Sequence, residues 1–298
     1  MLSDRPGTRV AVVGSANLDI VVRVTRFPSP GETLLGAGLE EVPGGKGLNQ
    51  ALAAARSVSC ALIGRVGDDP EGHSLREVLQ AGGVEVAHVR RSTLPTGRAF
   101  IQVTADGENS IVVLALANGD LQVTDVVQAL ESSRPAVVSS QLEVPLDCVL
   151  AAAHWAGDHG ARFVLNASPM RGLPVELLAA CDPLVVNRRE AAELLAGADG
   201  VADADALPTR TMAERLAAQV RSVVVTEGAR GVHVGSATDT IRHIEAVTDI
   251  RAVDTTGAGD EFAGALAAAL SVGASLREAA ALANAAAGHI VTVPRGRR

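Results

Sequence analysis

Short, uniformly apolar runs alternate along this chain with alanine- and leucine-rich stretches of helical spacing, and that alternation narrows the possible architectures sharply. Runs at 10–13, 61–63, 136–139, 163–165, 184–186 and 223–226 are rich in Val, Leu, Ile and Ala and only three or four residues long. They are too short for helices, and they lack the polar alternation of a strand with one wet face, so they read as strands buried on both sides. Between them, 47–56, 71–81, 123–132, 145–159, 189–195, 212–219, 258–270 and 276–289 carry apolar residues at helical spacing. Strands joined through helices pair in parallel, so an α/β body with helices on both faces of a mostly parallel sheet is expected.

Two places break the alternation. Segments 98–104 and 109–114 flank Asp106-Gly107, a tight-turn pair, and 19–24 and 32–39 flank Pro28-Ser29-Pro30-Gly31. These four strands read as a small sheet inserted into the body. The chain is therefore expected to be a single α/β domain over 1–298, with a β lid built from about 17–42 and 96–116. Such a sheet beside a crevice would cover a ligand and exclude water, or serve as an extension or dimer surface.

The 298 residues carry a net charge of -8 and no basic footprint, so neither nucleic acid nor an anionic membrane is an expected partner. No tyrosine and few other aromatic residues leave little for stacking nucleic-acid bases. Cys60, Cys148 and Cys181 are widely spaced, which suits a reducing cytoplasm better than a disulfide framework. No apolar run approaches the ~18 residues of a membrane span, and no leader pattern opens the sequence.

Three glycine-bearing segments carry candidate chemistry. DTTGAGDEFAG, residues 254–264, runs into the apolar stretch 265–270. Gly257 and Gly259 let the backbone turn closely under a ligand, and the helix that follows leaves its first N–H groups free for an anion. Asp260 then either caps that helix or acts as a general base toward a hydroxyl. PGGKGLNQ, residues 43–50, is a second glycine-loaded helix start. It is not a P-loop, because Gly47 follows Lys46 and Glu40 stands where the first P-loop glycine would be. Lys46 and Asn49 suit a polyhydroxylated ligand, or the segment is a turn and cap. GSANLD, residues 14–19, follows the first strand at the edge where open α/β sheets bind ligands. Asn17 and Asp19 alternate along an extended segment and so share a side, where they would grip vicinal hydroxyls or form a turn. Neither a G-x-S-x-G elbow nor a G-x-G-x-x-G fingerprint is present.

GSANLD, GGKGLNQ and DTTGAGDEF, in this order and at these intervals, resemble the ribokinase branch of the PfkB family of carbohydrate kinases. The resemblance extends over the whole chain through VGDDPEG at 66–72, QLEVP at 141–145, NRREAAEL at 187–194 and TEGARGV at 226–232. It implies a ribokinase-like three-layer α/β/α fold and an ATP-dependent transfer of phosphate to the primary hydroxyl of ribose. Another pentose, deoxyribose or a nucleoside as acceptor, and a catalytically weakened sugar-binding or regulatory homologue, are the alternatives. By the same resemblance Asn17, Asp19, Gly45, Lys46, Asn49 and Glu143 hold the sugar. Asp260 is the base, and the backbone of Thr256, Gly257, Ala258 and Gly259 is the anion hole. Asn187, Thr226, Gly228 and Asn284, with Gly257 and Gly259, fall on the nucleotide side. Glu190 belongs to the Mg2+ region, Asp254 and Thr256 match a site for a monovalent cation such as K+, and a homodimer through the lid is implied.

The chain departs from the family pattern at three places. Glu261 and Ala263 stand where Thr and Asn are usual, and on a helix Glu261 lies about 100° around from Asp260, so it is expected to face solvent. Leu116 stands in the place of a glycine. Family members usually run on past Gly296 through a segment that helps form the adenine and cation sites, whereas this sequence reads GRR.

Overall fold

Backbone amides inside a sheet covered on both faces must find partners in neighbouring strands, and the valine-rich runs do so in parallel. The computed structural model describes residues 8–198, 203–248 and 250–293. Its strands are β1 (Val10–Val13), β2 (Asn17–Arg23), β3 (Gly38–Gly44), β4 (Cys60–Gly67), β5 (Val84–Glu85), β6 (Val89–Ser92), β7 (Gly97–Val103), β8 (Asn109–Leu114), β9 (Val137–Ser140), β10 (Arg162–Asn166), β11 (Leu184–Asn187), β12 (Val223–Thr226), β13 (Val232–Ser236) and β14 (Asp239–Ile244). The helices are α1 (Lys46–Ala55), α2 (Pro70–Ala81), α3 (Val123–Ser133), α4 (Leu146–Asp158), α5 (Val175–Ala180), α6 (Arg188–Ala198), α7 (Thr209–Ala217), α8 (Ala258–Ser271) and α9 (Leu276–Ile290).

The large sheet runs β14-β13-β12-β11-β10-β9-β1-β4-β5, with β6 also paired to β4. All its pairings are parallel except those of β12 with β13 and β13 with β14. Alternate residues of β1 divide the interior into two layers. Val10 and Val12 pack with α1, α2, α8 and α9 through Leu48, Leu75, Leu266 and Ala283. Ala11 and Val13 pack on the other face with α3 to α7 through Leu130, Trp155, Leu177, Leu195 and Met212. The three-layer α/β/α architecture is thus as the alternation implies.

The smaller sheet has the order β3-β2-β7-β8, with β2 and β7 parallel and the outer pairs antiparallel. The strand expected at 32–39 lies instead at 38–44. Residues 32–37 form an open loop whose Leu35 is exposed, while β3 is held by its register with β2, Gly38 opposite Arg23 and Gly44 opposite Asn17. Pro43 is tolerated because β3 is an edge strand. The β13–β14 hairpin, the short β5 and β6, and α5 are further elements that the apolar runs do not announce. Residues 294–298, which include the GRR departure, lie outside the described residues.

Candidate active site

The chain leaves β1 at Gly14 and enters the small sheet at Asn17, so the base of that sheet stands at the carboxyl edge of the large one. β1 is flanked by β4 and β9, and Asn166, Asn187 and Thr226 are the last residues of β10, β11 and β12. This edge is where an open α/β sheet offers a crevice.

Small residues bring α1 and α8 together above it. Gly264 lies against the carbonyl of Gln50 and the Cβ of Ala53, so closely that it leaves no room for a side chain. At that separation the side chains of α1 reach the first turn of α8. Asn49 Nδ2 donates to Asp260 Oδ2 at 3.0 Å, and Gln50 Nε2 donates to Asp260 Oδ1 at 3.1 Å. Asp260 is buried and does not cap its own helix. Gly257, the N-cap, takes φ 78°, a left-handed conformation that suits glycine, and no side chain among the described residues caps α8. By contrast Asp69 caps α2 and Ser275 caps α9. The start of α8 therefore keeps the positive end of its dipole for an anion, although the Ala258 N–H already donates to the Thr255 carbonyl at 3.2 Å.

Lys46 opens α1. Its backbone N–H donates to Glu143 Oε2 at 3.0 Å, and the same oxygen accepts from Ser15 Oγ at 2.5 Å. Burial opposes the charge on the Lys46 ammonium, but Asp260, Glu143, Glu190 and Asp19 outweigh it and hold its pKa above the ordinary value. Glu143 is shifted up as well: burial dominates, opposed by Lys46 and the two hydrogen bonds and reinforced by Asp260.

On the lid side, Asn17 and Asp19 are both buried on β2, as their alternation suggests. Asn17 Oδ1 accepts from Asn118 Nδ2 at 2.7 Å, and Asn118 Oδ1 accepts from the Ala16 N–H at 2.9 Å. The Asp19 carboxylate lies over Gly44, where a Cβ would collide with it. Gly45 has φ 90° and sits against Asn17 and Ala16, so two backbones meet there. Leu116 occupies the left-handed region at φ 46°, the conformation for which glycine is the usual residue.

A cavity of about 130 Å³ is lined by Lys46, Asn166, Ser168, Asn187, Glu190, Thr226, Gly257, Gly259 and Asp260, among others. Asn187 and Glu190 bond reciprocally: the Asn187 N–H donates to Glu190 Oε2 at 2.8 Å, and the Glu190 N–H donates to Asn187 Oδ1 at 2.9 Å. Gly228, Asn284 and Asp254 lie outside this cavity. Gly228 begins a 3-10 turn after β12, Asn284 on α9 donates to the Glu245 carbonyl at 2.8 Å, and Asp254 accepts from the Thr256 N–H at 2.9 Å.

Glu261 corrects an expectation. It is buried rather than solvent-facing, and both its oxygens meet Arg56 Nη1 at 2.5 Å. The 100° rotation carries it onto α1, because α8 is covered on that side too. Gln50, Asn166 and Asn118 are site residues that no pattern in the sequence singles out; Gln50 only closes the GGKGLNQ segment.

A buried carboxylate beside an uncapped helix start, a lysine and a polar lid define a phosphoryl-transfer enzyme acting on a hydroxyl. Comparison with known proteins agrees. The profile of the pfkB family carbohydrate kinase matches residues 7–297. The ribokinase of Bacillus subtilis (strain 168) is 35% identical over 281 residues, 93% of this chain and 91% of that protein. Among solved structures, a ribokinase from Thermotoga maritima has a TM-score of 0.86 at 33% identity, covering 96% of this chain and 93% of the other. Arabidopsis thaliana ribokinase complexed with ribose and ATP has a TM-score of 0.85 at 30% identity, covering 96% and 93%. The chain belongs to the pfkB family of carbohydrate kinases, and it is a kinase.

Proposed function

We propose that this kinase transfers the γ-phosphate of ATP to the primary 5-hydroxyl of D-ribose. The observation that carries the reading is the position of Asp260: its carboxylate is buried, held by Asn49 and Gln50, and lines one cavity with the start of α8, Lys46 and Glu190. A carboxylate in that place accepts the hydroxyl proton, while the backbone of 256–259 at the start of α8 meets the charge on the transferred phosphoryl group. Asn17, Asp19, Gly45, Lys46, Asn49 and Glu143 hold the sugar hydroxyls. The likeness to the B. subtilis ribokinase and to the ribose- and ATP-bound A. thaliana ribokinase supports ribose as acceptor and ATP as donor.

Asn187, Thr226, Gly228 and Asn284 form the nucleotide side in this reading. Glu190 would hold Mg2+, an ion that binds through nucleotide phosphates, water and one or two carboxylates, and it would supply charge neutralisation at the phosphates. Asp254 and Thr256 are assigned to a monovalent cation such as K+. Ile111, Val112, Val113 and Leu114 of β8 are exposed apolar residues on an edge strand, which supports a homodimer through the lid. The three cysteines are buried and free, in keeping with a cytoplasmic location, and among the described residues no helix is long and apolar enough to cross a membrane.

ADP release measured over pentoses, hexoses and nucleosides, with and without K+, tests this reading. Ribose is expected to give the highest kcat/KM. A nucleoside preference, or sugar binding without ADP release, contradicts it.

A further inference from the structure

Behind Asp260 lies a chain of neutral amides that the roles above leave unexplained. Gln50 and Gln141 are fully buried, and Asn166 nearly so. Gln50 Nε2 donates both to Asp260 Oδ1 and to Asn166 Oδ1, each at 3.1 Å. Its Oε1 accepts from Gln141 Nε2 at 2.9 Å, and Asn166 Nδ2 donates to the Val185 carbonyl at 3.4 Å.

These bonds allow one orientation of every amide. The Val185 carbonyl accepts and cannot donate, so it turns Asn166 Nδ2 toward β11 and Asn166 Oδ1 toward Gln50. Gln50 must then present its NH2 to both Asn166 and Asp260; turned over, its oxygen would face two acceptors in a dry interior. Gln141 secures the same choice from behind by donating to Gln50 Oε1. The backbone carbonyl of Gln50 packs on Gly264 of α8, which fixes the distance between the two helices.

We infer that Gln50 is a positioning residue for the reaction, fixing the plane of the Asp260 carboxylate so that one oxygen faces the acceptor hydroxyl. The inference rests on the reading of Asp260 as the base. The carboxylate torsion of an Asp is broad and nearly two-fold, so a carboxylate held at one point still swings. Here each oxygen receives one N–H, Oδ2 from Asn49 and Oδ1 from Gln50, and each keeps lone-pair capacity for a further donor. Amides hold the group in this way without adding a charge beside the phosphoryl path.

The test uses Gln50→Met and Gln141→Met, singly and combined, in the full chain with ribose and ATP. Met keeps an unbranched side chain of similar volume and removes the hydrogen bonds. Gln50→Met is expected to lower kcat about 100-fold, as a misplaced catalytic group does, with the KM for ribose and for ATP changed less than about three-fold. Gln141→Met is expected to lower kcat about ten-fold, and the double variant to be no slower than Gln50→Met alone, because both act through one amide. A folded Gln50→Met with kcat within about three-fold of wild type, a loss carried by KM alone, or multiplied losses in the double variant overturns the inference. Should Gln50→Met not fold, Gln141→Met decides, and a kcat within about two-fold of wild type overturns it. Asp260→Asn assayed alongside separates the two claims: if it turns over normally the base reading fails, and if it alone is inactive only the role of Gln50 fails.

Discussion

Arg56, at the end of α1, meets both carboxylate oxygens of Glu261 at 2.5 Å, a second clasp between α1 and α8 nearly two turns of α1 beyond the bonds of Asn49 and Gln50 to Asp260. Glu261 is nearly covered, while the Arg56 side chain is half exposed at 48%. Removing the arginine strands a buried carboxylate, whereas removing the glutamate frees an arginine already close to water. Arg56→Ala is therefore expected to cost about 1–2 kcal/mol and Glu261→Thr less than about 1 kcal/mol, the exposed half of the pair limiting both. Urea denaturation of the two variants measures the asymmetry, and equal losses would contradict it.

Gly97 on β7 lies between Asn17 and Asn118, and a methyl group there would collide with both amides. Gly97→Ala is expected to raise the KM for ribose at least about ten-fold, since the pair must separate, while kcat falls much less because Asp260 is untouched. Steady-state kinetics at saturating ATP checks this split.

The helix contact at Gly264 makes a complementary case. An alanine there would press on the Gln50 carbonyl and come within 2.6 Å of the Ala53 Cβ, forcing α1 and α8 apart. Overpacking of this kind costs about 1–3 kcal/mol. It also draws Asn49 and Gln50 away from Asp260, so Gly264→Ala is expected to lower kcat about ten-fold or more in the folded protein. A stable variant with unchanged kcat would show that the helix spacing does not govern the site.

Glu143 links pH to both stability and binding, with opposite signs. Burial raises its pKa from the ordinary 4.5, with Lys46 and two hydrogen bonds opposing. Just above that value the folded chain holds a proton that the unfolded chain has released, so this group's contribution to stability falls as pH rises through the window. Ribose affinity is expected to rise through the same window, because the carboxylate is the better acceptor for a sugar hydroxyl. Glu143→Gln should flatten both slopes, as read by urea denaturation and calorimetric ribose titration between about pH 4 and pH 7. Slopes of the same sign, or slopes that survive the substitution, would remove Glu143 from this role.

What the sequence reveals and hides follows from where each residue gets its instructions. β1 and β12 are read to the residue, because runs of three or four buried β-branched or small apolar residues need little else to declare themselves. β3 contains Gly, Pro and two adjacent glutamates and becomes a strand only through β2. The β13–β14 hairpin and the two-residue β5 are likewise specified by the neighbours they complete. Within the site, Asp260 and Lys46 are legible because glycines and a helix start surround them. Gln50, Asn118 and Asn166 are single amides whose meaning arises from partners about 100 residues or more away. Glu261 is not legible in the sequence because helical geometry gives a direction and only packing says whether that direction is wet.

The central claim, that Asp260 takes the proton from the acceptor hydroxyl, is tested most directly by Asp260→Asn in steady-state ADP release with ribose. An asparagine must turn its NH2 toward a donor from Asn49 or Gln50, so a modest loss of stability accompanies it and the folded fraction is set first by circular dichroism. The expected result is a folded protein whose kcat falls at least about 100-fold and as much as about 10,000-fold. Near-normal turnover in the folded variant would contradict the account.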